Sequence, residues 1–231
     1  MEFIDIYQSE KYREVVPTWH AEDSPWKAQQ ILRMLKRHQL TPHTVCEVGC
    51  GVGGILAQLQ KSLDPDCTFQ GYEVSPYAVK ISKEKENDHL HYQQRDFSEE
   101  GIEHFDVLLM IDVMEHVEDY YRFLRNLKPK AEYKLIHLPL ELSAISLLRS
   151  QALINVRKTY DIHYFTKDLA LASLQDAGYE IVDYFYTQRS IALATNFKKK
   201  LMAIPRKISF TLHKDFAARV LGGFSLLVLA K

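Results

Sequence analysis

The sequence predicts an α/β fold: a doubly wound sheet of seven strands, mostly parallel with an antiparallel last strand, with helices on both faces. Three observations carry this. Apolar runs of strand length alternate with helical stretches from about residue 44 onward. Those runs are near-continuously apolar, as strands covered on both faces are. The final two runs need no strong helix between them, which suits an antiparallel pair at the sheet's end. At 231 residues, 46% apolar and 26% charged, the chain is long enough to bury a core and too apolar for disorder.

Each element has its own signal. Ser24-Pro25 supplies a cap and an N1 proline before Trp26, Ile31, Leu32, Met34 and Leu35, a helical spacing expected to run to about His38. Thr44–Val48 reads as a short buried strand stopped by glycines, and a helix from about Gly53 to Ser62 follows. Thr68–Val74 is the second strand, and Ser75-Pro76 caps the next helix. His89–Gln93 is a weak third strand, Phe105–Asp112 a strong fourth, Asp119–Leu127 a helix and Tyr133–Leu138 a fifth strand. Thr166 caps a helix carrying Leu169, Leu171 and Leu174 that stops at Gly178. Tyr179–Tyr186 and Phe224–Ala230 are the last two strands. No repeat or linker divides the chain, so 1–231 reads as one domain, with an apolar-basic insert at 139–165 and a basic one at 187–221.

Composition excludes several classes. The longest strongly apolar run, Gly222–Ala230, is far short of the ~18–20 residues that span a bilayer. Met1-Glu2-Phe3-Ile4-Asp5 has neither a basic nor an apolar signal region, and Cys46, Cys50 and Cys67 lack zinc-type spacing; both point to a reducing cytoplasm. A net charge of −1 argues against a general nucleic-acid binder. The charge is nevertheless polarised, with +8 over residues 186–231 and −9 over the rest.

The chemistry gathers in Glu47-Val48-Gly49-Cys50-Gly51-Val52-Gly53-Gly54, between a strand and a helix. Glycines there turn the backbone tightly and open main-chain N–H groups to a ligand. The letters also satisfy the dinucleotide fingerprint through Gly49, Gly51 and Gly54, so an NAD(P)-dependent oxidoreductase stands as a rival. Against it, Glu47 would repel a pyrophosphate and welcome an ammonium, and the spacing follows E-x-G-x-G-x-G.

The run Glu47–Gly53 resembles motif I of class I S-adenosylmethionine-dependent methyltransferases, which implies a Rossmann-like sheet with that cofactor. In this resemblance Glu73, ending the second strand with Val74 beside it, matches the acid that receives the ribose hydroxyls. Asp96-Phe97 looks like the pair that holds the adenine. Asp106–Asp119, with Asp112 and Glu115-His116-Val117-Glu118-Asp119, is similar to the subgroup containing the ubiquinone-biosynthesis methyltransferases, as is Tyr164-Phe165-Thr166 before its helix. Cys50 is expected to offer its backbone to the cofactor. Relatives carry a lid before the first strand, which implies lid helices over residues 1–40; there Trp19 and Trp26 would cover a flat ligand and Lys27 pair with the methionine carboxylate.

His116, His137 and His163 are the candidate bases for proton removal from the acceptor. Asp112, Glu115, His116 and Asp119 could be drawn as a metal site like that of catechol-type methyltransferases, but the spacing is not that family's and they read as helix-surface acids, so no metal is expected. The implied function is methylation of a hydroxyl, carboxylate or amine of a small or medium-sized metabolite; a non-catalytic cofactor-binding regulator is the other alternative. Three readings of the basic insert stand: guidance of an anionic acceptor, weak contact of 197–208 with an anionic membrane, or a solvated face. Pro205 is expected to interrupt the helix that membrane contact prefers, which favours acceptor guidance.

Overall fold

A computed structural model describes residues 4–98, 103–188 and 197–231. The part of the basic insert at 189–196 lies outside them, as do the side chains of Lys198, Lys199 and Lys200. Seven strands form one sheet: β1 (Thr44–Val48), β2 (Thr68–Glu73), β3 (Leu90–Gln94), β4 (Phe105–Ile111), β5 (Ala131–Leu140), β6 (Ile181–Thr187) and β7 (Phe224–Ala230). Their spatial order is β3-β2-β1-β4-β5-β7-β6. The first five pair in parallel, and β7 lies between β5 and β6, antiparallel to both.

The chain runs outward from β1 to β3 and then returns to β4, which pairs with β1 on its other side. Strand order therefore reverses between β1 and β4, and a crevice opens beyond their carboxyl ends. Buried side chains fill both faces. Cys46, Leu108, Met110, Ile136 and Val228 belong to one core cluster. Val45, Leu109, Leu135, Leu227 and Leu229 belong to the other. Neighbours in sequence fall in opposite clusters, which is why the strands look continuously apolar.

Most elements fall where the sequence places them, with informative exceptions. Ser24 does not cap its helix. A 3-10 turn over Ala21–Asp23 runs directly into the helix Ser24–Arg37, and Ser24 is already helical. Its hydroxyl instead packs where a side chain at Gly54 would sit. Ser75 does cap, accepting from the Ala78 N–H, and Thr166 accepts from Leu169 N–H. Leu169 itself is 52% exposed; Ala170 and Leu174 form that helix's buried side.

The basic insert holds two helices, Phe197–Leu212 and Lys214–Leu221, and the first passes through Pro205 without a break. A proline inside a helix removes one backbone donor and strains one turn, and the fifteen other residues of this helix outweigh that. The first insert likewise forms helices at Ala144–Leu148 and Ser150–Arg157.

Gly53 locks the turn after β1. It sits at φ +75°, and an added Cβ would come within 2.5 Å of the buried Tyr92 ring. Tyr92 donates its hydroxyl to the Gly53 carbonyl at 2.7 Å. Gly53→Ala should therefore destabilise the fold by about 2–4 kcal/mol, combining left-handed strain with overpacking. Urea unfolding measures this; a loss under about 0.5 kcal/mol would show that the turn relaxes freely.

Candidate functional site

A cavity of ≈ 920 Å³ opens at the point where strand order reverses. Its floor is the turn after β1. Gly49 and Gly51 take φ of +71° and +52°, the left-handed region in which glycine meets no Cβ penalty. The N–H groups of Gly49 and Cys50 both donate to the Tyr72 carbonyl, at 2.8 and 3.1 Å. Cys50 lines the cavity, with its N–H spent on the fold. Gly53 stays out of the cavity lining; it is a packing residue, as its contact with Tyr92 requires.

Two carboxylates stand at the ends of β1 and β2. Glu73 is buried, and its side chain accepts three backbone N–H bonds, from Gly51 at 2.9 Å, Val74 at 2.8 Å and Ser75 at 2.9 Å. Burial raises its pKa and those three bonds lower it, leaving it somewhat raised. Glu47 is 1% exposed, and its Oε2 has no hydrogen-bond partner among the described residues. Burial pushes its pKa up to about 8, opposed by the Lys27 charge.

Asp112 organises the far side. It follows β4 in the left-handed region, at φ +55°. One oxygen meets Lys27 Nζ at 2.7 Å and the other meets His137 Nδ1 at 2.5 Å. Burial alone would raise its pKa, but the His137 and Lys27 charges hold it well below the carboxylate range. Lys27 is thus tied to Asp112. His137 is 2% exposed, its Nε2 meets Thr187 Oγ1 at 2.8 Å, and it is absent from the lining. It is a buried linker and does not face an acceptor. His163 is also absent from the lining, with Nε2 donating to the carbonyls of Val117 and Glu118 at 2.9 and 3.2 Å.

His116 does line the cavity. Its Nδ1 lies 3.1 Å from the Tyr160 carbonyl and 3.2 Å from Asp161 Oδ1. A carbonyl can only accept, so Nδ1 carries the hydrogen and Nε2 keeps its lone pair. Burial lowers the His116 pKa, favouring the neutral ring. Asp161 is raised to about 7 by burial, then by the charges of Glu141 and Asp112.

The remaining expected residues divide. Trp19 lines the cavity beside Gly51, whereas Trp26 lies outside the lining with its ring edge-on to His137. Asp96 lines it, with Oδ1 accepting from the Ser98 N–H and hydroxyl. The Phe97 ring is fully buried, stacked 4.1 Å from Tyr72 with the Lys130 ammonium 4.1 Å from its centroid. It packs in the core and also lines the cavity beside Asp96. Glu115 is 2% exposed, its Oε2 has no partner among the described residues, and burial, reinforced by Asp112, raises its pKa. Neither it nor Asp112 is a helix-surface acid, and Asp119 is the N-cap of the helix Tyr120–Leu127.

Sequence reasoning missed Tyr7 and Tyr12. They come from the short helices Ile4–Gln8 and Glu10–Val15 and line the cavity, their rings 5.9 and 6.5 Å from His116. Their signal was slight: two tyrosines in a charged N-terminal stretch.

The Asp112 cluster yields a stability prediction. Asp112→Asn tolerates the left-handed backbone but leaves Lys27 and His137 without their anion. It should cost about 2–4 kcal/mol at pH 7, read by urea unfolding. Because the folded pKa is depressed, this contribution is present above the unfolded value of 3.8 and fades as pH falls below it. Equal stability of the two proteins at pH 7 would remove Asp112 from that role.

With this geometry in hand, comparisons with known proteins bear on it. A family model described as a methyltransferase domain matches residues 46–131. No curated protein matches the chain by sequence. Among solved structures, magnesium protoporphyrin IX methyltransferase (ChlM) from Synechocystis PCC 6803, with bound SAH, is 15% identical at a TM-score of 0.60, covering 89% of this chain and 82% of that one. The plantazolicin methyltransferase BpumL, in complex with SAH, is 16% identical at 0.65, covering 99% and 93%. The [4+2]-cyclase SpnF is 15% identical at 0.61, covering 88% and 80%. The sheet alone therefore does not fix the chemistry, whereas the family match falls on β1 through the start of β5 and includes Glu47, Glu73, Asp112 and His116. Residues 46–131 thus match a methyltransferase domain, within a chain that has the fold of the class I, S-adenosylmethionine-dependent methyltransferases.

Proposed function

We propose that the chain transfers a methyl group from S-adenosylmethionine to an amine or hydroxyl of a small or medium-sized metabolite. The observation that carries this reading is Glu47, a buried carboxyl lining the cavity with one oxygen unpartnered among the described residues. Leaving such an acceptor unsatisfied costs about 1–3 kcal/mol, and a ligand ammonium relieves that cost.

The other residues fit the same cofactor. Glu73, fixed by three backbone donors, would receive the ribose hydroxyls. Asp96 would meet the adenine, and Gly49, Gly51 and Val74 would shape the floor. Trp19, with the helices of the first 40 residues, would close over it as a lid. When bound, S-adenosylmethionine supplies an electrophilic methyl on a sulfonium, a good leaving group. The chain's own tasks are then orientation, exclusion of water and removal of the acceptor's proton. His116, neutral and with a free Nε2 lone pair, is the base in this reading.

The walls bear on the acceptor. Glu115, Glu141 and Asp161 line the cavity together with Tyr7 and Tyr12. Carboxyls beside aromatic faces suit an amine or a neutral hydroxyl, and they give an anionic acceptor no support. The nicotinamide reading gains nothing either, since the matched domain is a methyltransferase domain. Three buried, unpaired thiols support a reducing, cytoplasmic setting.

Glu47→Gln tests the cofactor reading through two effects of opposite sign. The folded pKa of about 8 exceeds the ordinary 4.5, so Glu47 costs stability increasingly as pH rises from the lower value to the higher. The variant should stabilise the ligand-free protein by about 1–3 kcal/mol at pH 8. It should also weaken S-adenosylhomocysteine binding roughly 10- to 100-fold by calorimetry. Unchanged affinity would sink the reading.

His116→Ala addresses proton removal. Turnover, followed as transfer of a labelled methyl to an acceptor identified by its 14-dalton gain, should fall about 10²–10⁴-fold with cofactor affinity intact. Near-normal turnover in the variant would end the assignment of His116 as base.

A further inference from the structure

The two inserts lie against each other on the outside of the molecule. An added Cβ at Gly222, which ends the helix Lys214–Leu221, would meet the Ser143 hydroxyl at 2.6 Å, and Ser143 caps the helix Ala144–Leu148. Burial, together with the charge of Arg149 in the first insert, lowers the pKa of Arg206 in the helix Phe197–Leu212. Together they carry seven of the twelve large apolar side chains exposed among the described residues. Leu147, Leu148 and Ile154 come from the first insert at 62%, 85% and 52% exposure. Ile204, Ile208 and Leu212, at 54%, 57% and 81%, stand at i, i+4 and i+8 and form one stripe along their helix, with Phe216 beyond it at 55%.

Charge marks the same surface. Residues 144–158 and 197–214 together hold nine Lys or Arg and neither Asp nor Glu. Of these, Arg149, Arg157, Lys158, Lys207 and Lys214 are exposed. The two nearest acids of the inserts, Glu141 and Asp161, line the cavity, and Asp215 is bonded to Lys167 and the Tyr186 hydroxyl. An exposed apolar stripe within an acid-free basic field is what an anionic lipid surface complements: aliphatic side chains enter the acyl boundary while Lys and Arg stay among the phosphates. A nucleic acid would match the charge but offers nothing to Leu148 or Leu212. Both helices are too short and polar to span, and no helix among the described residues is long and apolar enough to cross a membrane.

We infer that this face, built from the helices of residues 144–158 and 197–214, docks the protein peripherally on an anionic membrane surface. Asn155 and Val156 of the first insert also line the cavity, so docking sets the cavity beside the bilayer.

The test is co-sedimentation of the full chain with vesicles of phosphatidylcholine alone and with one-third phosphatidylglycerol. The protein should pellet with the anionic vesicles and at least tenfold less with the neutral ones, and release as salt rises to 0.5 M. Leu148→Asp and Leu212→Asp, at side chains more than 80% exposed and so harmless to folding, should each lower binding at least fivefold with the melting temperature unchanged. Arg149→Glu and Lys207→Glu should do the same. Failure to pellet with anionic vesicles, or binding indifferent to all four changes, overturns the proposal. So does a dimer in sedimentation velocity that the Leu148→Asp change dissociates, since a second copy would then cover the face.

Discussion

One carboxylate holds the site together. Asp112, left-handed at the end of β4, binds Lys27 of the helix Ser24–Arg37 on one side and His137 of β5 on the other. His137 passes the link to Thr187 at the end of β6. Four elements far apart in sequence are thereby pinned around the mouth of a crevice that the strand order alone would leave open. The arrangement concentrates charge where burial would otherwise forbid it, and it is tolerable because each partner is nearly in contact.

That cluster also determines what the other acids can do. Lys27 Nζ lies 2.7 Å from Asp112, while Glu47 and Glu115 are each buried with one oxygen that has no partner among the described residues. Burial raises both pKa values, that of Glu47 to about 8, so Glu47 keeps its proton near neutrality. Glu73 differs: three backbone N–H groups orient it and moderate its burial cost. Two carboxyls at adjacent strand ends thus acquire different characters from their surroundings, and the proposed reading gives the first to an ammonium and the second to hydroxyls.

The sheet was legible because its strands are buried on both faces and read as continuous apolar runs, and because glycines bound β1. The glycine turn and the acids ending β1 and β2 were legible because these properties are local. The rest depends on long-range contact. Nothing near Asp112 announces Lys27, 85 positions away, or distinguishes His116 from His137 and His163; only their partners separate a cavity histidine from a buried linker and a loop clasp. Phe97 lines the cavity beside Asp96 as its position suggests, but its stacking on Tyr72 is a long-range contact that the sequence does not announce. Tyr7 and Tyr12 become cavity residues because short helices fold over the mouth. Pro205 misled in the other direction, since its helix is long enough to absorb it.

In the proposed reading, the cavity stores a protonated carboxyl at Glu47 for a cationic ligand. Calorimetric titration with S-adenosylhomocysteine at pH 7, repeated in buffers of different ionisation enthalpy, reads the protons exchanged on binding. With the Glu47 pKa at about 8 in the free protein and far lower beside an ammonium, binding should release close to one proton per ligand bound. Binding with no proton exchanged would contradict it.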